Sequence, residues 1–428
     1  MQYDVVIIGA SFAGLSLAHH LPSHLKVLIL DMKRELNQSV ESTGLITEHT
    51  YQLLKSFLPE LDRYIPNRIT TIGVVAPDYE HYFFSHTKDP WIYSTDTPAI
   101  LEHLSKNLPS NVTLKIASQF TEYKVEAGEQ QRVPTEAEHP VRVLYVNDGT
   151  RHEVQARFIV GADGSLSRVA QVNPRLSKNK EFLAGVEKVF YGKIMLGPHP
   201  DLTVYHFWFG EFSLGYGGWL SPTEIDGKAA FRLGLAKLKE DSKDIGRIKD
   251  FIEVLKEKKM IEIEPGTKEI LTFGHLIPIG GPLKTVHDEH SLLLGDAAGL
   301  CGAFAADGIK GALVSGMVSA KLISEHLKGD RAALGRFHSE IQKYGRLMRY
   351  YRKQVLYRFI WERMKSNRSF FALWKVIERE KESFLYQFCD SKDRNKSLIS
   401  VVLKWRNFPL LMKYALSLVR DLFNKWPI

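Results

Sequence analysis

Tyr3-Asp4-Val5-Val6-Ile7-Ile8-Gly9-Ala10-Ser11-Phe12-Ala13-Gly14 stands at the start of this 428-residue chain and sets its architecture. An apolar run rich in β-branched residues enters a glycine-bounded turn, and apolar residues then recur at helical spacing from Phe12 to Leu21. Strand, turn and helix in that order present free backbone N–H groups and the positive end of a helix dipole to an anion. Gly9 permits the tight turn, and Gly14 lets the helix lie close on the strand. Ser11 stands where a glycine usually lets backbone approach a pyrophosphate, and its neighbours Phe12 and Ala13 complete the turn. The next strand, Lys26 to Leu30, ends at Asp31-Met32, near the spacing at which an acid bonds ribose hydroxyls. A carboxylate there favours a free 2′-hydroxyl, hence FAD or NAD over NADP.

Two distant segments repeat the strand-to-glycine pattern. Arg157-Phe158-Ile159-Val160 runs into Gly161-Ala162-Asp163-Gly164, and Leu292-Leu293-Leu294 runs into Gly295-Asp296-Ala297-Ala298-Gly299, followed by Asp307-Gly308-Ile309 and a long helical pattern. A pocket that closes on a long dinucleotide needs loops from the start, middle and far end of its chain, and these three are so placed. With all three motifs, the chain resembles the flavoprotein superfamily of p-hydroxybenzoate hydroxylase-type enzymes and geranylgeranyl reductases. That resemblance implies FAD as cofactor, with Asp296 on the ribityl chain and the helix after Gly308 and Ile309 aimed at the flavin pyrimidine. It also implies that Asp163 and Gly164 shape the pyrophosphate side and that the Ser42-Thr43-Gly44 loop lies near the flavin.

Between these segments the pattern is that of a second domain. Arg68 to Tyr93 and Glu181 to Pro278 carry alternating β-type runs, and Asn147-Asp148-Gly149 is a hairpin turn between Val141–Val146 and His152–Val160. The expectation is an α/β fold: a Rossmann-like FAD-binding domain, a mostly antiparallel β-sheet substrate domain, and a C-terminal helical region. The boundaries are 1–66, 97–178 and 286–330 for the first, 67–96 and 179–285 for the second, and 331–428 for the third. The stretch Phe207 to Pro222 resembles the Gly-Tyr-x-Trp-x-Phe-Pro segment of geranylgeranyl reductases, with one extra residue between Tyr216 and Trp219 and Ser221 in place of Phe. The resemblance makes Tyr216 and Trp219 candidate catalytic residues walling a prenyl chain. A second departure is Thr43, which stands where that family commonly carries a cysteine and cannot supply a thiol's chemistry.

Charge is unevenly distributed. Residues 331–428 hold 22 Lys and Arg against 8 Asp and Glu, a net of +14, whereas residues 1–330 hold 35 against 41, a net of −6. The basic tail is rich in Trp and Phe, which suits peripheral contact with an anionic membrane face, and Phe408 to Phe423 is the best candidate segment. Beyond charge, nothing in it resembles a nucleic-acid-binding motif. No uninterrupted apolar run of about 18 residues marks a membrane span. Two cysteines, Cys301 and Cys389, are too few for a disulfide framework, and a chain that opens directly on a strand is expected at the cytoplasmic face. The 16 histidines show no metal-ligand spacing, so no metal is expected.

The resulting expectation is an FAD-dependent oxidoreductase that reduces carbon–carbon double bonds of an isoprenoid by hydride transfer, with NAD(P)H or ferredoxin as electron donor. The alternative is an FAD-dependent monooxygenase acting on an apolar or aromatic substrate, since the same cofactor motifs serve both chemistries. A flavin-bearing membrane sensor without lipid turnover is a third reading, carried only by the basic tail.

Overall fold

The computed structural model describes the chain except residues 38–41, 127, 130–131, 198–202, 208–209, 211–214, 241–247, 383–401 and 424–428, and the side chains of 215, 216, 271 and 273. It divides into two compact units, the first of residues 1–40, 97–182 and 277–356, the second of 41–96, 183–276 and 357–428.

The first unit is built on a seven-stranded sheet. Val112–Lys115, Val27–Leu30, Gln2–Ile8, Thr150–Gly161 and Ser291–Leu293 run parallel in that order. Val141–Asn147 and Ser118–Val125 continue it antiparallel beside the first half of Thr150–Gly161. Val5, Val6, Ile7, Leu28, Ile29, Phe158, Ile159, Val160 and Leu292 are fully buried, which is why these strands read as unbroken apolar runs instead of alternating. The hairpin closes with Asn147 opposite Thr150, and both loop residues, Asp148 and Gly149, take positive φ, as a two-residue turn with right-handed strand twist requires.

Two helices of this unit pack on each other, Phe12–His20 and Ile309–Leu327. They approach closely because Gly316 offers no side chain: a Cβ there would sit 2.7 Å from both the Ala13 carbonyl oxygen and the Leu17 nitrogen. The Ser16 hydroxyl donates across the same contact to the Leu313 carbonyl at 2.8 Å.

The second unit is β-rich. Its main sheet has eight strands, seven of them in the order Ile261–Ile263, Phe182–Ile194, Lys228–Leu238, Gly215–Ile225, Thr203–Phe207, Thr71–Val75 and Tyr82–His86, with Leu271–Pro278 also beside Phe182–Ile194. Thr203–Phe207 and Thr71–Val75 pair in parallel; the other strand pairs with a described register are antiparallel. The helix Ile248–Glu257 buries Phe251, Ile252 and Leu255 against one face, in a core with Tyr205, Phe207, Phe231 and Leu233. Toward the C-terminus, Asn367–Arg379 packs on Phe408–Phe423, and the buried Trp374 indole donates to the Val74 carbonyl at 3.3 Å. Among the described residues no helix is long and apolar enough to cross a membrane.

Candidate functional site

The parallel strands of the first unit bring the three glycine turns to one edge. Ile8 pairs with Gly161, and Gly161 with Leu293, so the chain leaves three neighbouring strands at one level and enters Gly9, Ala162 and Leu294. Backbone packs on backbone there. A Cβ on Gly9, whose φ is +105°, would lie 2.3 Å from the Ala162 carbonyl oxygen, and one on Gly14 would lie 2.0 Å from the Gly9 carbonyl oxygen. A Cβ on Gly295 would stand 3.2 Å from that of Ala13, linking the third turn to the first. Asn179 ties the second to the third by donating to the carbonyls of Ser165, at 2.9 Å, and Asp296, at 2.8 Å.

The first turn is prepared for an anion. Ser11 precedes the Phe12–His20 helix in extended backbone, its side chain makes no capping bond, and no acid occupies the first turn. No acid of the helix itself competes for its positive end. Asp31 is buried and held by two backbone donors, Ala10 N–H at 2.7 Å and Lys33 N–H at 2.8 Å. These bonds fix the carboxylate at the end of Val27–Leu30 and leave lone pairs for further donors. Met32, next to it, is largely exposed.

In the second turn Asp163 accepts from Val169 N–H at 3.1 Å through one oxygen, while its other oxygen is buried without a hydrogen-bond partner among the described residues. Burial pushes this carboxyl above its ordinary range. A buried acceptor left open is what a bound polar group satisfies. Gly164 takes φ +78° with open space where a side chain would be.

The third turn places Asp296 against the start of Ile309–Leu327. A Cβ on Gly308, the residue before that helix, would lie 2.8 Å from the Asp296 carboxylate and 3.4 Å from the Cys301 sulfur. Cys301 is fully buried and its thiol is pushed well up by burial, consistent with a packing role and not that of a nucleophile. The loop between the turn and the helix is stapled by residues that sequence reasoning missed. Gln354 accepts from the N–H groups of Phe304, at 3.0 Å, and Ala305, at 2.7 Å, and donates to Asp307 at 3.3 Å. Tyr350 donates to the other Asp307 oxygen at 2.7 Å. Burial pushes the Asp307 carboxyl up to about 6. No local signal marks Tyr350 or Gln354, which lie more than 40 residues along the chain from the loop they hold.

The other sequence-derived residues lie in the second unit. Gly44 takes φ +66°, and its carbonyl accepts from both the N–H and the hydroxyl of Thr95, at 2.9 and 2.8 Å, which fixes the loop holding Thr43. Tyr216 lies in the strand Gly215–Ile225, but its side chain falls outside the described residues. Trp219 is buried with its ring against Gly234, where a Cβ would come within 1.9 Å of the indole. Its N–H donates to the buried Glu187 at 2.8 Å, and Arg232 approaches the other Glu187 oxygen at 3.4 Å. Burial pushes the Glu187 carboxyl up, against the opposing pull of the Arg232 cation. The Glu187–Arg232 pair was also invisible in the sequence, since its members come from different strands.

A parallel sheet with glycine turns at its carboxyl end, an acid after the second strand and a helix opening on the third turn together define a dinucleotide-binding α/β protein. Residues 2–348 match the family of the FAD binding domain, and the chain belongs to that family, with FAD as its cofactor and oxidoreduction as its chemistry. The chain is 23% identical over 431 residues to a digeranylgeranylglycerophospholipid reductase of Methanopyrus kandleri, covering 98% of this chain and all of that one. It is 23% identical over 337 residues to another of that name from Methanosphaera stadtmanae, covering 76% of this chain and 78% of that one. A geranylgeranyl bacteriochlorophyll reductase-like protein of Thermoplasma acidophilum superposes with a TM-score of 0.71 at 16% identity, over 99% of this chain and 98% of that one, and so shares the fold.

Proposed function

We propose that this flavoprotein reduces carbon–carbon double bonds of a prenyl lipid. The observation that carries the reading is the likeness, over nearly the whole chain, to proteins named for reducing digeranylgeranylglycerophospholipid. It is joined by a cofactor edge whose open polar groups suit FAD.

Reduced FAD, when bound, supplies the hydride. The chain's own residues do the rest. The uncapped start of Phe12–His20 receives the pyrophosphate, with Ser11, Phe12, Ala13 and Gly14 as its wall, and Asp31 accepts from ribose hydroxyls. Asp163 and Gly164 line the phosphate side, and Gly295 and Asp296 hold the ribityl chain at the Gly308–Ile309 helix start. Trp219, pinned by Glu187, is an apolar wall for the prenyl chain, and Tyr216 is the candidate proton donor. Reduction of one alkene consumes one hydride at one carbon and one proton at the other, so the site must align the chain and exclude water. The basic C-terminal region makes peripheral contact with the inner face of a membrane.

The test is anaerobic. Reduced holoenzyme mixed with detergent-dispersed geranylgeranyl lipid should be reoxidised in step with loss of alkene. Reoxidation only when oxygen is admitted, with oxygen entering the product, would establish the monooxygenase in its place.

A further inference from the structure

The helix Phe408–Phe423 is docked the wrong way round for a water-soluble surface. Eight of its apolar residues, at 408, 411, 412, 415, 416, 419, 422 and 423, form one stripe of the kind that ordinarily faces a core, while Leu410 and Leu418 lie half-buried on the opposite, packed side. Here that stripe faces outward: Leu416 is 59% exposed, Leu422 67% and Phe423 85%. The face that packs inward carries Tyr414, Ser417 and Asp421, all buried.

Polar clamps at both ends hold this orientation. At the C-terminal end Asp421 accepts from the Ser366 hydroxyl at 2.7 Å and the Lys365 N–H at 2.8 Å. At the entry, the buried Glu380 accepts from Lys404 at 2.5 Å and from two nitrogens of Arg406 at 2.6 and 2.7 Å, and Arg379 donates to the Arg406 carbonyl at 2.7 Å. Rolling the stripe inward would pull Asp421 away from the Ser366 hydroxyl and the Lys365 N–H. Trp405, 85% exposed, stacks on Phe408 with ring centres 5.5 Å apart and extends the stripe with an aromatic group suited to a headgroup boundary.

From this inverted packing we infer that the outward face of Phe408–Phe423, with Trp405, docks in the plane of an anionic lipid bilayer. Charge complementarity selects the partner: Lys413 and Arg420 flank the stripe, and residues 357–428 hold 15 Lys and Arg against 7 Asp and Glu, a net of +8. At 16 residues the helix is too short to span and suited to lie in the interface. The choice of a lipid partner rests on the prenyl-lipid reading above, while the outward orientation stands independently of it.

The test uses full-length holoenzyme and flotation with vesicles of phosphatidylcholine alone or with one third phosphatidylglycerol. The wild type should float with the anionic vesicles and release at high salt. The double variant Leu416→Ser/Leu422→Ser should bind at least tenfold more weakly, and Lys413→Glu/Arg420→Glu should bind anionic vesicles no better than neutral ones. Equal flotation of all three proteins would overturn the inference. So would a wild-type dimer that the apolar double variant abolishes while nothing floats, since the face would then belong to a second copy. Reoxidation by detergent-dispersed prenyl lipid, measured in parallel, should be unchanged in both variants. Flotation without reoxidation would refute the catalytic reading and leave the membrane face intact.

Discussion

The turn cluster around Gly9, Gly161 and Gly295 and the sheet position around Trp219 are fixed by opposite means. In the first, backbone lies on backbone, and the essential property of Gly9 and Gly14 is the side chain they lack. In the second, an indole is held by a carboxylate that burial makes costly, itself braced by an arginine from another strand. The first arrangement rests on missing side chains alone, whereas the second needs the bare Gly234 and, in addition, a side-chain hydrogen bond that a substitution at Glu187 can keep or remove.

Substitutions that exploit this contrast should differ in severity. Gly14→Val places carbon where the Gly9 carbonyl oxygen lies 2.0 Å away, and neither group can move without parting helix from strand. The expected result is loss of folded, yellow protein, read from the flavin absorbance of the purified product. Glu187→Ala leaves the largely covered Arg232 without its carboxylate and the Trp219 N–H without its acceptor, a loss of about 3 kcal/mol in urea unfolding. Glu187→Gln keeps the acceptor and should cost about 1 kcal/mol, with Trp219 fluorescence near that of the wild type. If Gln and Ala are equally damaging, the hydrogen bond is not what positions the indole.

Asp307 sharpens the comparison inside the first unit, because it is a side-chain clamp amid backbone packing. Its folded-state value is raised from 3.8 to about 6, so between those pH values the unfolded chain has released its proton while the native state retains it. Its contribution to native stability should therefore fall as pH climbs through that window and level off above it. Asp307→Asn carries no such charge, and above pH 6 it should exceed the wild type by about 2–3 kcal/mol, with the difference vanishing below pH 4. Unfolding midpoints at pH 4, 5, 6 and 7 measure this, and a difference that does not change with pH would place the titration elsewhere. The smallest expected effect is on the outward stripe: Leu416→Ser is exposed and should change stability by less than about 0.5 kcal/mol while weakening vesicle binding.

What could be read from the sequence follows the same division. The meeting of the three glycine turns at one sheet edge was legible because each turn announces itself locally, as an apolar strand entering glycines, and parallel pairing then aligns Ile8, Gly161 and Leu293 without help from side chains. The Asp148-Gly149 hairpin and the β-rich second unit were legible for the same reason. Glu187, Arg232, Tyr350 and Gln354 were not, since each acts on a partner supplied by a different element and nothing near it in the sequence marks that partner. The tail's composition pointed to a membrane face, but only the burial of Tyr414, Ser417 and Asp421 reveals which side of the helix turns outward.

The most direct measurement follows the alkene in the absence of oxygen. Holoenzyme reduced under nitrogen and given a geranylgeranyl lipid should return to the oxidised spectrum with one double bond saturated per flavin. A spectrum that stays reduced in the presence of excess lipid, from protein with full FAD content, would contradict the account.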